Sequence, residues 1–111
     1  MRSSEHEDHL ERQIRAVAAM LTRVLGLRLH GDLVGARAEL ERARTELLGA
    51  NPGLFDRLAP ASAVTMLGSP ARARAYADVL REEAGLLEDA EAAAALEARA
   101  DAITEAAGPR P

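Results

Sequence analysis

The stretch LERQIRAVAAMLTRVLGLRLHGDLVGARAELERARTELL, residues 10–48, decides the fold. On each side of residues 30–32, apolar residues recur at alternating spacings of four and three, which places them on one face of a helix. The two stripes are Leu10, Ile14, Val17, Leu21 and Val24, then Leu33, Ala36, Leu40, Ala43 and Leu47. Gly31 ends the first helix and Asp32 caps the second. The stretch therefore predicts two long helices folded back on each other.

The next segment, residues 49–69, is expected to be a linker that contains short helices. Asn51-Pro52 combines a capping residue with a proline at the first helical position and predicts a short helix that ends near Leu58. A second short helix is predicted from Pro60 to Leu67.

The C-terminal part predicts a second pair of helices. Ser69-Pro70 repeats the cap-and-proline signal and begins a helix that runs to about Leu87. A break near Glu88-Asp89 precedes a last helix, which Gly108 ends. The predicted fold class is therefore all-α, with two antiparallel helical hairpins made of four main helices.

The two halves of the chain are weakly similar to each other. A shift of 56 residues places Leu40 on Leu96 and Leu47 on Ile103. A pair of related hairpins predicts such an internal similarity, and chance similarity between alanine-rich amphipathic helices explains it equally well.

Length and composition are typical of one small helical domain, residues 1–111. Hydrophobic residues make up 48% of the chain, but there is one Phe, one Tyr and no Trp. A core of Leu, Val and Ala favours closely packed helices over a sheet. The ends, residues 1–9 and 108–111, are expected to fray.

Several classes of function are disfavoured by the same composition. A net charge of −4 argues against general affinity for nucleic acid. The absence of cysteine excludes disulfides, thiolate zinc sites and thiol nucleophiles. Apolar runs such as residues 16–21 are too short to span a bilayer, and the N-terminal residues lack the apolar segment of a signal peptide. We therefore expect a cytoplasmic protein without a nucleic-acid or membrane partner, and we predict no catalytic residue, cofactor or metal site.

The first hairpin resembles a tetratricopeptide repeat. The matching positions are Leu27, Gly31, Asp32, Ala36, Leu40 and Ala43. Met20 stands where the repeat usually has an aromatic residue, and Val24 fills a small-residue position. The whole chain also resembles a family of small bacterial all-helical proteins of unknown function, and the matching features are the long first helix, the turn at 31–32, the Glu46–Gly49 ending and the Leu80–Leu87 segment. The resemblance implies a tetratricopeptide-like domain, and such domains generally bind other protein segments.

The resemblance also implies a candidate binding surface, because the first helix of each such hairpin lines the inner wall of a groove. The implied residues are Leu21, Leu25, Arg28, Leu29, Arg74 and Arg81. Arginine matches the two oxygens of a carboxylate, so the expected partner is a protein or peptide segment that carries one. Two alternatives stay open. The leucine row is core beneath the linker, with the arginines on a solvated face, or it meets its own copy in a twofold homodimer.

The alternative to a protein-interaction module is a helical-bundle enzyme, a metal-dependent hydrolase that uses His and Asp/Glu. His6 and His9 are three residues apart and could share a divalent metal ion on one face of a helix. His30 beside Asp32 suggests an acid–base pair. However, Asp32 is already explained as a cap, and His30 suits the negative end of a helix dipole. A non-enzymatic protein-interaction module is therefore the preferred prediction.

Overall fold

The computed structural model describes residues 2–109, with side chains from Asp8 onward. Within this range the chain forms six α-helices and no strand, which confirms the predicted all-α class. The helices are α1 (Arg2–Leu29), α2 (Leu33–Leu48), α3 (Gly53–Asp56), α4 (Pro60–Leu67), α5 (Pro70–Gly85) and α6 (Ala90–Ala107).

Helices α1 and α2 form the first hairpin, and its turn has the predicted chemistry. Gly31 adopts a φ of 81°, in the left-handed region that favours glycine. The Asp32 carboxylate accepts a hydrogen bond of 2.8 Å from the backbone N–H of Gly35 and so caps α2. Most of the two predicted stripes is buried in the core, namely Val17, Leu21, Val24, Ala36, Leu40, Ala43 and Leu47. Leu33, beside the turn, is 38% exposed, because the core ends before the fold-back.

Helices α5 and α6 form the second hairpin. The Ser69 hydroxyl accepts a hydrogen bond of 3.0 Å from the N–H of Arg72, and the Asp89 carboxylate accepts one of 2.9 Å from the N–H of Glu91. The predicted cap at Ser69 is therefore confirmed, and Asp89 caps α6 at the predicted break. Helix α5 ends at Gly85 rather than near Leu87. The fully buried side chains of this hairpin include Tyr76, Val79, Leu80, Ala100 and Ile103.

The two hairpins pack with α1 and α5 side by side and parallel. Near one end, Ile14 and Ala71 line the same cavity. At the other end, Arg28 donates to the Gly85 carbonyl at 3.4 Å. Both pairs are separated by 57 residues in the chain, within one residue of the shift that relates the two halves of the sequence. Helix α2 also packs against α5, and α4 packs against α6.

The linker lies against the bundle and is tied to it by arginine. Arg72 donates to the carbonyls of Leu47 and Leu67 at 2.9 and 3.1 Å. Arg99 donates to the carbonyls of Phe55 and Leu58 at 2.6 and 2.8 Å. The last carbonyls of a helix have no partner within the helix and carry its negative dipole end. A guanidinium that bonds two of them joins segments that are far apart in the chain.

Candidate functional site

A groove runs between α1 and α5 and consists of three adjoining cavities that share lining residues. We call it the α1/α5 groove. The central cavity has a volume of about 360 Å³ and is lined by Ile14, Val17, Ala18, Leu21, Ala71, Arg74, Ala75 and Asp78. A second cavity of about 300 Å³ continues it along Thr22, Leu25, Arg81 and Glu82. A third of about 370 Å³ extends it to Leu10, Glu11 and Arg15. From Leu10 to Leu25 the groove follows α1 for about 22 Å, at 1.5 Å per helical residue.

The groove contains two of the three predicted leucines. Leu21 lies at its floor and is 9% exposed, so it is also part of the core. Leu25 lines the second cavity and is 37% exposed. Leu29 is 74% exposed and lies one turn beyond the lining residues. The row of leucines therefore begins in the core at Leu21 and ends in solvent at Leu29. The linker does not cover Leu25, because the open cavity beside Leu25 is lined only by residues of α1 and α5.

Two of the three predicted arginines, Arg74 and Arg81, line the groove, but their guanidinium groups are bonded within the chain. Arg74 donates to the carbonyls of Gly108 and Pro109 at 2.9 and 3.0 Å, beyond the end of α6. Arg81 donates to Asp101 and Thr104 on α6, at 3.2 and 3.1 Å, and to Asp78 at 3.3 Å. These arginines join α5 to α6, and a carboxylate ligand would have to displace those bonds. Their role in partner binding stays a prediction.

The third predicted arginine, Arg28, lines none of the three cavities. It donates to the Gly85 carbonyl, and its Nη2 atom lies 3.8 Å from Oε2 of Glu82. This Glu82 oxygen is buried and accepts no hydrogen bond from any residue that the structure describes. The Nε atom of Arg28 is likewise buried without a hydrogen-bond partner among the described residues, so an unsatisfied donor and an unsatisfied acceptor are both present here.

A buried polar cluster under the linker was not predicted from the sequence. Tyr76 is fully buried and donates to the Asp56 carboxylate at 2.7 Å. Arg44, whose side chain is 6% exposed, donates to the other Asp56 oxygen at 2.5 Å and lies 3.7 Å from Glu83. The Arg99 guanidinium stacks 5.8 Å from the centre of the Tyr76 ring. The cluster fixes α3, which buries no residue of its own, to α2, α5 and α6.

The pKa values of Tyr76 and Glu83 in this cluster are raised, and the pKa of Glu39 outside it is lowered. Burial, helped by the hydrogen bond to Asp56, raises the pKa of the Tyr76 hydroxyl to about 12. Burial also raises the pKa of the Glu83 carboxyl, although Arg44 opposes the shift. The hydrogen bond from Arg23 lowers the pKa of Glu39 on α2, which is 6% exposed. Each of these groups already has a structural partner.

The histidine and acid pairs of the enzyme alternative are not assembled into a site in the described residues. His30 Nδ1 lies 2.9 Å from the Gly26 carbonyl, and Asp32 is occupied as the α2 cap. His6 lies outside the residues whose side chains the structure describes, so its pairing with His9 stays a prediction. Among the described residues, no three His, Cys, Asp or Glu side chains come close enough to hold a metal ion.

Comparisons with known proteins add no relative. No protein-family model, curated protein or solved structure matches the chain. Over the described residues, none of the helices is long and apolar enough to cross a membrane.

Proposed function

We propose that the chain is a non-enzymatic protein-interaction module that binds a partner segment in the α1/α5 groove. The observation that carries the proposal is the open apolar floor of the groove. Ala18 and Ala71 are exposed, Leu25 is more than one-third exposed, and the three cavities adjoin one another along about 22 Å of α1. An apolar cleft of this extent is a typical site for another protein segment.

The distribution of the polar groups supports binding rather than catalysis. Arg74 and Arg81 have their donors bonded to the C-terminal part of the chain. In the buried cluster, Tyr76, Arg44 and Asp56 are bonded to one another or to the linker. Groups that are occupied in this way stabilise the fold and are poorly placed to exchange protons with a substrate.

The same proposal places the module in the cytoplasm of a bacterial cell, with a protein partner rather than a nucleic acid. A net charge of −4 repels a phosphate backbone. A second copy of the chain is an alternative occupant of the groove, since twofold homodimers are the commonest oligomers.

The experiment that tests the proposal compares affinity capture from native cell extract by the wild-type chain and by the Leu25→Asp variant. Leu25 is 37% exposed, so a charge there changes the groove without entering the core. Ala98→Asp, at an exposed position on α6 outside the groove, is the matched control. Light scattering on the same samples measures self-association.

We expect the wild type and Ala98→Asp to capture the same partner, or to form the same dimer, and Leu25→Asp to lose it while circular dichroism shows unchanged helicity. Equal capture by all three chains would contradict the proposal. Global unfolding of Leu25→Asp would show that the position belongs to the core, and would equally remove the groove as a binding surface.

A further inference from the structure

We propose that Arg44, Tyr76 and Arg99 form a second binding site, for a short peptide segment in which an aromatic residue precedes a carboxylate, and that the linker fills this site as a displaceable internal ligand. We call these three the receptor residues. The internal ligand is the segment FDRL, residues 55–58. None of the receptor residues lines the α1/α5 groove, so the second site is separate from the surface of the proposed function.

The receptor residues direct their donors at the two oxygens of one carboxylate. The Tyr76 hydroxyl donates to Oδ1 of Asp56 at 2.7 Å, and Nη2 of Arg44 donates to Oδ2 at 2.5 Å. Nη2 of Arg99 donates to the Tyr76 oxygen at 3.3 Å, which leaves the single hydrogen of the hydroxyl free to point at the carboxylate. Each carboxylate oxygen therefore has its own donor, and a charged donor makes the stronger kind of hydrogen bond.

The rest of the internal ligand is bound through its backbone and its aromatic ring. Arg99 donates to the carbonyls of Phe55 and Leu58 at 2.6 and 2.8 Å. The centres of the Phe55 and Tyr76 rings are 6.4 Å apart, and both Phe55 and Leu58 pack against the core. Every residue has a backbone carbonyl, so the selective features of the segment are its apolar side chains and its carboxylate.

The internal ligand is held less firmly than the residues that bind it. Tyr76 is fully buried and Arg44 nearly so, whereas the Asp56 side chain is 39% exposed and α3 buries no residue. The backbone hydrogen bonds of residues 51–58 span three residues and measure 3.2–3.3 Å, and no side chain caps α3. A segment with little burial opens at a lower free energy than the core. The linker can therefore leave while the receptor residues stay in the bundle.

The vacated site would still require an anion. Nη1 of Arg44 is buried and makes no hydrogen bond to any residue that the structure describes, even with Asp56 in place. Two other carboxylates face Arg44, but Glu41 and Glu83 lie 3.9 and 3.7 Å away, beyond hydrogen-bond distance. A buried guanidinium that loses its partner is costly, so an external carboxylate that replaces Asp56 would offset this cost.

The first experiment tests whether the site takes a carboxylate that is not joined to the chain. Asp56→Ala removes a carboxylate group, and formate supplies one of the same size. We expect about 0.2 M sodium formate to raise the Tm of this variant by at least about 3 °C relative to sodium chloride at equal concentration. The absorbance of Tyr76, the sole tyrosine, should change with it. If the variant is unfolded in chloride, recovered helicity measures the same effect.

Asp78→Ala is the matched control, because it removes a carboxylate that pairs with Arg81 at an exposed position. Formate should change the Tm of this control and of the wild type by less than about 1 °C, since water already solvates the exposed pair. An equal rise in Asp56→Ala and Asp78→Ala would overturn the inference, because it would be a general effect of the salt. No rise in Asp56→Ala would also overturn it, because Glu83 or water would then replace Asp56.

The second experiment tests whether an external segment displaces the linker. The probe is a labelled peptide with the sequence of residues 51–59, and fluorescence anisotropy measures its binding to the full-length chain. We expect Asp56→Ala to bind the peptide at least about fivefold more tightly than the wild type, whose own carboxylate competes. Asp56→Asn in the peptide should weaken binding at least about tenfold. Binding that is indifferent to this change would remove the carboxylate as the recognised group.

Hydrogen exchange on the wild type tests whether the linker opens by itself. The amides of residues 54–58 should exchange at least about a hundredfold faster than those of Val79 and Leu80 in the core of α5. Equal exchange in the two segments would overturn the inference, because the internal ligand would then leave only when the whole chain unfolds. The capture experiment with Leu25→Asp is independent of these results, so the second site and the α1/α5 groove can fail separately.

Discussion

The hydroxyl of Tyr76 joins the linker to the bundle, and its removal by Tyr76→Phe isolates that contribution. The hydroxyl donates to Asp56 at 2.7 Å and lies 3.3 Å from the Arg99 guanidinium. The aromatic ring is retained in the variant, with its contacts to Phe55, 6.4 Å between ring centres, and to Arg99. No cavity is created, so the change in stability reports the hydrogen bonds alone.

The expected loss is about 2 kcal/mol in the free energy of unfolding. A hydrogen bond to a charged group contributes about 1.5–3 kcal/mol. The lower half of that range applies, because the Asp56 side chain is 39% exposed and water can replace the lost donor. Arg99 keeps its bonds to the carbonyls of Phe55 and Leu58. For a chain of this size, 2 kcal/mol corresponds to a fall of about 8–9 °C in Tm.

Urea denaturation at pH 7, followed by circular dichroism, measures this loss, and the slope of the transition should be unchanged. Thr65→Ala is the matched control, since the Thr65 hydroxyl is exposed and bonds only to the Ala61 carbonyl of its own helix. The control should change stability by less than about 0.5 kcal/mol. A loss of less than about 0.5 kcal/mol for Tyr76→Phe would refute a stabilising role for the Tyr76 hydroxyl.

Three further predictions concern pH and the glycines. The pKa of Tyr76 is raised to about 12, so the folded chain keeps a proton that the unfolded chain loses above about pH 10. The free energy of unfolding should therefore fall as the pH rises from about 10 to about 12. Because this is the sole Tyr of the chain, its phenolate absorbance should show the titration. The pKa of Glu39 is lowered by Arg23, so Glu39→Gln should destabilise the chain at pH 7 and converge with the wild type in acid, which urea titrations at both pH values check. Gly31→Ala should destabilise by about 1–2 kcal/mol because of its positive φ, whereas Gly26→Ala, with nothing within 4 Å of the added Cβ, should stabilise by about 0.5–1 kcal/mol. Equal effects of the two alanines in thermal melts would contradict the assignment of the turn.

The parts of the fold that were predicted correctly depend on neighbours in the sequence. Helix α4 spans Pro60–Leu67 as predicted, and the predicted cap at Ser69 needs only the next three residues. The prediction of where α3 begins was wrong. Pro52, not Asn51, precedes the helix, and no side chain caps it, because α3 is held by Arg99 and the Asp56 contacts instead.

The candidate site was predicted less completely, because its polar contacts join residues that are distant in the chain. The pattern places Arg74 and Arg81 on the α5 surface that faces α1, and both line the groove. Their guanidinium groups, however, bond to residues of α6 or just beyond it, which lie 20–35 positions further along the chain. Ala77, which lies between Arg74 and Arg81 in the sequence, is completely buried, because α6 covers that side of α5.

Photocrosslinking in the native host cell tests the binding role of the α1/α5 groove most directly. A benzophenone amino acid is placed at position 22, an exposed residue at the groove edge, or at position 98, an exposed residue on α6. We predict a discrete adduct from position 22, with a partner protein or a second copy of the chain, and none from position 98. Adducts from position 98 alone, or from neither position, would contradict the assignment of the groove as the binding surface.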